Sequence, residues 1–173
     1  MVDAVVHAHG ENIIHRDLKP ANVMLLNDGE VKLLDFGIAI DLEQPERKES
    51  LCGDPFYMSP EQTIPGKKID PRADVYAAGI SLYEVVTGLH PFGGLRDAPL
   101  GDLFAAQREH MPPPPSNYLP KAYSERVAKG LDMVFQRACA KDPDERFQSA
   151  RDMLEMMMVI LMPSNMGLGV GIG

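Results

Sequence analysis

The chain has 173 residues, of which 45% are hydrophobic and 24% are charged, and this composition allows one globular domain with a sizeable core. Its formal net charge of −8 argues against nucleic acid or an anionic membrane as the main partner, because phosphate groups bind basic faces. Cys52 and Cys139 stand far apart without metal-type spacing, so we expect reduced thiols. No apolar run approaches the roughly 20 residues that span a bilayer, and residues 1–4 lack the basic start of a signal peptide. These features predict a cytoplasmic protein without a membrane segment.

The first predicted elements are the end of a helix, over residues 1–9, and a β-hairpin over residues 22–34. In the hairpin, two apolar stretches flank an Asn27-Asp28-Gly29 turn, whose residues tolerate positive φ angles. Because the strands are apolar almost throughout, we expect both of their faces to be covered. A polar stretch over residues 41–50 then predicts a long exposed loop.

The rest of the chain predicts mainly helices. Residues 73–87 are apolar on every side, which is typical of a helix buried at the centre of a domain, and Gly88 ends this helix. Further helices are predicted over residues 100–110, 124–140 and 149–161. The prolines at 112–115 predict an extended spacer, and residues 162–173 predict a flexible tail. The predicted fold class is therefore mainly α, a helical bundle with a short β-hairpin.

Residues 15–22 have the sequence HRDLKPAN and carry the candidate chemistry. Transfer of a phosphoryl group asks a protein mainly for positioning and charge stabilisation. Asp17 can orient an attacking hydroxyl and accept its proton, and Lys19 can offset charge on the moving phosphoryl group. The amide oxygen of Asn22 can ligate a hard cation such as Mg2+ without adding a full charge. These three side chains therefore indicate a phosphotransfer site.

The segment resembles the catalytic loop of protein kinases, H-R-D-L-x-x-x-N. Asp35-Phe36-Gly37 follows the predicted hairpin and resembles the magnesium-binding element of the same family, and the hairpin would bring Asp35 back beside Asn22. Lys19 is typical of the serine/threonine branch. The chain is therefore identified as a member of the eukaryotic-like, bacterial-style serine/threonine protein kinases. Residues 1–161 would form the C-terminal lobe of the kinase domain, in the α+β kinase fold, with the hairpin carrying the catalytic and DFG loops.

The resemblance implies ATP and Mg2+ as cofactors, with Mn2+ able to replace Mg2+. Asp17, Lys19 and Asn22 would form the catalytic set, while Lys19, Asn22, Met24 and Asp35 would bind the nucleotide, Met24 as the floor under the adenine. Asn22 and Asp35 would hold the metal ion. The implied reaction transfers the γ-phosphate of ATP to serine or threonine in protein substrates, as in signalling.

Supporting residues also match the family. Met58-Ser59-Pro60-Glu61 resembles the A-P-E element that ends the activation segment, and the resemblance implies that Arg146 pairs with Glu61. Asp74 would hydrogen-bond the backbone of the catalytic loop. Arg16 would bind a phosphate on the activation segment, where Ser50 is either the acceptor or a serine without a role. The full set of implied structural and regulatory residues is His15, Arg16, Phe36, Gly37, Ser50, Asp54, Glu61, Asp74 and Arg146. His7 and His9 are expected only to flank a helix end.

The chain departs from the family pattern in two respects. No glycine-rich loop and no lysine-bearing strand precedes the catalytic loop within these residues, so the ATP-clamping lobe is missing and we expect little or no activity. His15 and Phe36 would lose stacking partners, which leaves an apolar surface that favours association with a partner. Asp54 stands where the family usually has threonine. Its carboxylate would pair with Lys19 but repel Asp17, or else turn to solvent.

An alternative function comes from a different class of protein. A pseudokinase-like binding module would hold a partner with the exposed face of the lobe or with the helix over residues 100–110. Intact Asp17, Lys19, Asn22 and Asp35 favour the kinase, whereas the missing lobe and Asp54 favour the binding module.

Overall fold

The computed structural model describes residues 1–41 and 52–162. Five α-helices are the main regular elements of the described chain, and they are α1 (Val2–Gly10), α2 (Arg72–Thr87), α3 (Leu100–Glu109), α4 (Glu125–Ala138) and α5 (Ala150–Leu161). Four short strands accompany them, and they are β1 (Ile13–Ile14), β2 (Val23–Leu25), β3 (Val31–Leu33) and β4 (Ile40–Asp41). The prediction of a mainly α fold with a short hairpin is therefore confirmed. None of the described helices is long and apolar enough to cross a membrane.

The strands pair in two antiparallel ribbons that bracket the candidate catalytic segment. β2 pairs with β3 as the predicted hairpin, and Gly29 in its turn has φ +86, an angle that glycine adopts without strain. β1 pairs with β4, with Ile14 opposite Ile40, which brings the chain after the hairpin back to the start of the catalytic segment. The expectation that both hairpin faces are covered is wrong. Helix α1 packs on β3, but it leaves Met24 and Leu25 of β2 exposed, Leu25 to 70%.

Helix α2 is the centre of the molecule. Most of its residues are buried, on all sides of the helix, which agrees with the predicted lack of a polar face. α4 and α5 both pack against α2 and against each other, and α5 also packs against α1. Gly79 allows the close approach of α4, because a Cβ there would lie 2.7 Å from Cys139 Sγ. Gly88, at φ +72, ends α2 in the left-handed conformation, as predicted.

Side-chain caps fix where the last two helices begin. The Ser124 hydroxyl accepts a hydrogen bond from the Val127 amide at the start of α4. Ser149 and Asp152 form a reciprocal capping box at the start of α5, with distances of 3.1 and 3.0 Å. The predicted helices therefore begin within one residue of the observed ones. Of the loop predicted over residues 41–50 and the tail predicted over residues 162–173, residues 42–50 and 163–173 lie outside the described residues. Asp41 belongs to β4, so the predicted loop began one residue too early.

Candidate active site

The backbone of the catalytic segment is held by a buried carboxylate on α2. Asp74 Oδ2 accepts a hydrogen bond from the His15 amide at 2.8 Å, and Oδ1 accepts one from the Arg16 amide at 2.9 Å. His9 Nε2, at the end of α1, lies 2.9 Å from Asp74 Oδ2. Because a carboxylate accepts and does not donate, Nε2 carries the proton in this contact. Charge-assisted bonds of this kind are the stronger class, so α1, α2 and the catalytic segment are tied together at one point.

Arg16 joins the catalytic segment to the chain before β4. Its φ of +64 lies in the left-handed region, which a long side chain rarely adopts and which marks local strain. Its Nε donates to the Ile38 carbonyl at 2.7 Å, and Nη2 donates to the same oxygen. The guanidinium therefore braces the loop that follows residues 35–37. Ser50, its expected phosphate-bearing partner, lies outside the described residues, so that role stays a prediction.

Both carboxylate oxygens of Asp17 are held by hydrogen bonds. Asn22 Nδ2 donates to Oδ2 at 2.9 Å and to the Asp17 carbonyl at 2.8 Å. The Asp54 amide donates to Oδ1 at 2.8 Å. Lys19 Nζ lies 3.3 Å from Oδ2. The carboxylate is thus held by Asn22 and Lys19 from its own loop and by Asp54 from a segment much later in the chain.

Lys19 lies between two carboxylates. Its Nζ is 3.3 Å from Oδ2 of Asp17 and also 3.3 Å from Oδ2 of Asp54. Burial opposes the charged form, but the hydrogen bonds and charges of Asp17 and Asp54 outweigh it, and the pKa of Lys19 is raised. The alternative in which the Asp54 side chain turns to solvent is therefore wrong. Gly53 fits this contact, because at φ +110 a Cβ would lie 2.8 Å from the Arg16 carbonyl oxygen.

The hairpin brings the backbone of Asp35 next to Asn22, the residue that is bonded to Asp17. The Leu34 amide donates to the Asn22 carbonyl at 2.8 Å, so Asp35 follows immediately after the residue bonded to Asn22. With Asn22 Nδ2 committed to Asp17, its Oδ1 is the amide atom left to face a cation. Asp35, at φ +61, has an exposed carboxylate whose Oδ1 accepts from the Gly37 amide at 3.1 Å. One carboxylate and one amide oxygen suit Mg2+, which keeps waters and phosphate oxygens as its remaining ligands.

Asn22 and Asp35 provide only two side-chain ligands for a metal ion. Among residues 1–41 and 52–162, no group of three or more His, Cys, Asp or Glu side chains is placed to hold a metal ion. A cage built wholly from protein side chains of these four types is therefore not present in that part of the chain. A metal ion at Asn22 and Asp35 would depend on the phosphates of a nucleotide for its other ligands.

His15 packs inside the lobe, and Phe36 lies at its surface. The His15 ring is fully buried, with Nε2 3.0 Å from the Leu34 carbonyl and with its centroid 4.7 Å from that of Phe36, edge to face. The expectation of an exposed apolar surface at both residues is thus wrong for His15, because the Phe36 ring and the Leu34 backbone cover it. The exposed large apolar side chains around the hairpin are Met24, Leu25, Leu34 and Phe36.

Glu61 and Arg146 form a buried bidentate ion pair. Arg146 is 1% exposed, and its Nη1 and Nη2 each lie 2.7 Å from one carboxylate oxygen of Glu61. Arg146 Nε also donates to the Ala140 carbonyl at 2.8 Å. The pair links the end of the segment over residues 52–63 to the turn before α5. The pair therefore stabilises the fold.

Sequence reasoning missed two side chains that touch this framework. One is His9, which carried no pattern that distinguished it from an ordinary residue in the last turn of a helix. The other is Gln107 on α3, which is fully buried and donates to the carbonyls of Pro55 and Phe56 at 2.7 and 3.2 Å. A signal for Gln107 did exist, because it lies one helical turn after Leu103 on the buried face of α3.

Comparison with known proteins places the chain in a family. Residues 1–159 match the model of the protein kinase domain. The chain belongs to the protein kinase family. It is 43% identical over 157 residues to the probable serine/threonine-protein kinase CE0033 of Corynebacterium efficiens, an alignment that covers 87% of this chain and 23% of the relative. It is 42% identical over 151 residues to the serine/threonine-protein kinase PknB of Mycolicibacterium smegmatis, which covers 85% of this chain and 22% of the relative.

A third relative extends the match across lineages. The serine/threonine-protein kinase Pkn1 of Myxococcus xanthus is 39% identical over 166 residues, covering 92% of this chain and 23% of the relative. The predicted resemblance to bacterial-style serine/threonine protein kinases is thereby confirmed, and these comparisons favour a kinase catalytic domain over the pseudokinase-like binding module. The chain spans less than a quarter of the length of these relatives.

Proposed function

We propose that the chain forms the C-terminal lobe of a catalytic domain that transfers the γ-phosphate of ATP to serine or threonine hydroxyls of proteins. The observation that carries the proposal is the geometry of Asp17. Its carboxylate is fixed by donors on both oxygens, with the cation of Lys19 beside it, and the hairpin brings the backbone of Asp35 next to Asn22. Phosphoryl transfer needs this combination of positioned base and positive charge.

In the proposed reaction, Asp17 orients the attacking hydroxyl and takes up its proton. The new bond joins the substrate oxygen to the γ-phosphorus, and the bond to the leaving oxygen of ADP breaks. Lys19 offsets negative charge on the phosphoryl group in flight. Because its raised pKa keeps the ammonium protonated at neutral pH, this charge is present throughout the physiological range.

Asn22 and Asp35 would hold Mg2+, with Mn2+ as a substitute of similar oxygen preference. When bound, the ion supplies charge neutralisation between the β- and γ-phosphates. The nucleotide would rest on Met24, whose side chain is partly exposed beside the hairpin and free of a polar group. These assignments follow from the family and from the donor chemistry described above. Consumption of ATP supports the proposal of a cytoplasmic location.

Asp54 is proposed to reduce the rate. Its carboxylate shares the Lys19 ammonium with Asp17, so part of the positive charge is neutralised before a phosphate arrives. A threonine there would keep the backbone amide on Asp17 Oδ1 and remove the competing carboxylate. We therefore expect Asp54→Thr to raise turnover several-fold. Asp54→Asn is the matched control, because it removes the charge at nearly constant shape and should show most of the same gain.

The test is a phosphotransfer assay with labelled ATP on a generic serine-rich protein. We expect low turnover from the 173-residue chain. A chimaera that adds the N-terminal lobe of the M. smegmatis relative should show turnover that Asp17→Asn removes. Equal rates for the chimaera and its Asp17→Asn variant would overturn the assignment of the base. An unchanged rate in both Asp54 variants would overturn the proposed effect of Asp54.

The apolar side chains exposed around the hairpin offer a surface for another protein segment. Met24, Leu25, Leu34 and Phe36 lie in or shortly after the hairpin, and a segment packed on one of its faces would bury the side chains on that face. In the chimaera, the added lobe would be that segment. We expect it to reduce the binding of a hydrophobic dye relative to the 173-residue chain, and equal dye binding would refute this placement.

A further inference from the structure

Asp17 depends on a backbone contact that lies far from it in sequence. The Asp54 amide donates to Asp17 Oδ1 at 2.8 Å, and this bond fixes the oxygen that Asn22 does not reach. Its direction is set by the conformation of residues 54–57. Any change that rotates this turn therefore rotates the donor away from Asp17.

Two hydrogen bonds close the turn over residues 54–57. The Tyr57 amide donates to the Asp54 carbonyl at 3.0 Å, and the Phe56 amide donates to Asp54 Oδ1 at 3.1 Å. Pro55 has no N–H group to contribute. Both internal bonds end on Asp54 itself, so they close the turn without anchoring it to the rest of the lobe.

Gln107 supplies an external anchor. From the buried face of α3, its Nε2 donates to the Pro55 carbonyl at 2.7 Å and to the Phe56 carbonyl at 3.2 Å. These carbonyls directly follow the residue whose amide holds Asp17. Residues 54–57 are thus held by Gln107 on α3, by the hydrogen bond from the Tyr57 hydroxyl to Glu84 on α2, and by the bond to Asp17. Of the two anchors on helices, Gln107 is the one that binds the carbonyls next to Asp54.

The burial of Gln107 is costly, which argues that it has a role beyond filling space. Its side chain is 0% exposed, and its Oε1 has no hydrogen-bond partner among the described residues. An apolar side chain of similar length would fill the same volume without an unpaired oxygen. The amide is favoured over such a side chain only by its two Nε2 contacts.

We propose that Gln107 is a positioning residue for Asp17, acting by anchoring the turn over residues 54–57 so that the Asp54 amide stays on Asp17 Oδ1. The proposal rests on the proposed function of Asp17, but the link from Gln107 to Asp54 is testable without activity. Gln107→Met keeps the length of the side chain and removes both donors. Gln148→Met is the matched control, because Gln148 also donates its amide to backbone carbonyls but lies in the turn before α5, away from Asp17.

The experiment measures amide hydrogen exchange by NMR in the full 173-residue chain. The Asp54 amide reports the local bond, and the Val75 amide, in the buried α2, reports global opening. We expect Gln107→Met to speed exchange at Asp54 at least tenfold more than at Val75, and Gln148→Met to leave their ratio unchanged. Equal acceleration at both amides, or no change at Asp54, would overturn the proposal. If Gln107→Met does not fold, Gln107→Leu provides the same readout, because its side chain is smaller and has no hydrogen-bond donor.

A second readout is kinetic. In the chimaera, kcat should fall about tenfold with the KM for ATP unchanged, and a change confined to KM would count against positioning. Absence of turnover in every chain would refute the proposed function and leave the exchange result standing.

Discussion

Removal of Arg146 is the substitution for which the structure predicts the largest loss of stability. In Arg146→Met, the Glu61 carboxylate stays buried without the two 2.7 Å donors that hold it. The carbonyl of Ala140 also loses its guanidinium donor. Breaking a buried ion pair on one side costs about 3–5 kcal/mol, which at this chain length lowers Tm by about 6–20 °C. The expected cause is an unpaired buried charge and not a cavity, since methionine fills much of the same space.

Urea denaturation followed by circular dichroism measures this loss, and a double variant identifies its cause. Arg146→Met with Glu61→Leu removes both charges, so it should be more stable than Arg146→Met alone by about 1 kcal/mol or more. The recovery of stability will be partial, because the Ala140 carbonyl still lacks its guanidinium donor. Lys129→Met is the control: its ion pair with Glu125 is exposed on both sides, so no measurable loss is expected. A loss below about 1 kcal/mol in Arg146→Met, or a double variant less stable than the single one, would refute the reasoning.

The remaining predictions concern a buried amine and a close helix contact. Burial lowers the pKa of Lys141 to about 8, so between that pH and about 10.5 the unfolded chain binds a proton that the folded chain has released. Lys141 should therefore add about 1–2 kcal/mol to the free energy of unfolding over this range, after allowance for partial exposure, while the raised pKa of Cys139, about 12, acts in the opposite direction. The difference in the free energy of unfolding between the wild-type chain and Lys141→Met should grow with pH by that amount, and a constant difference would contradict the prediction. Gly79→Ala should destabilise by about 1–3 kcal/mol, because its Cβ would lie 2.7 Å from Cys139 Sγ and 2.8 Å from Ala138 Cβ. Gly101→Ala, in open space on α3, should instead stabilise, and the same sign for both would refute the packing argument.

The sequence predicted those parts of the molecule that local patterns determine. The hairpin followed from an Asn-Asp-Gly turn between apolar stretches, and α2 followed from apolar residues on every side of a helix. Both patterns act over a few residues, so no knowledge of the tertiary contacts was needed. Local patterns did not predict which residues of the hairpin are buried. Whether Met24 and Leu25 are buried depends on which element packs against β2, and the residues of β2 do not encode that partner.

At the site, too, local spacing predicted some features and left others open. Spacing located Asp17, Lys19 and Asn22, but it left open whether the Asp54 carboxylate turns to solvent or pairs with Lys19. The contacts of Asp54 with Asp17 and Lys19 could not be predicted from the sequence, because they depend on how the folded chain brings these distant residues together. The Asp54 amide donates to Asp17, a contact that any residue other than proline can make. The Asp54 carboxylate pairs with the Lys19 ammonium, a contact that needs an acidic side chain.

This division explains how the Asp54 position can depart from the family pattern while Asp17 remains in place. The backbone contact to Asp17 needs only an N–H at position 54, and Gln107 anchors the backbone that makes it. Thr or Asn at this position keeps a side-chain oxygen that can accept from the Phe56 amide, so either changes the charge around Lys19 with little change in the orientation of the Asp17 carboxylate. A substitution at position 107 should do the reverse. The two positions thus separate charge from orientation at one carboxylate, and comparing Asp54→Thr with Gln107→Met measures each contribution by itself.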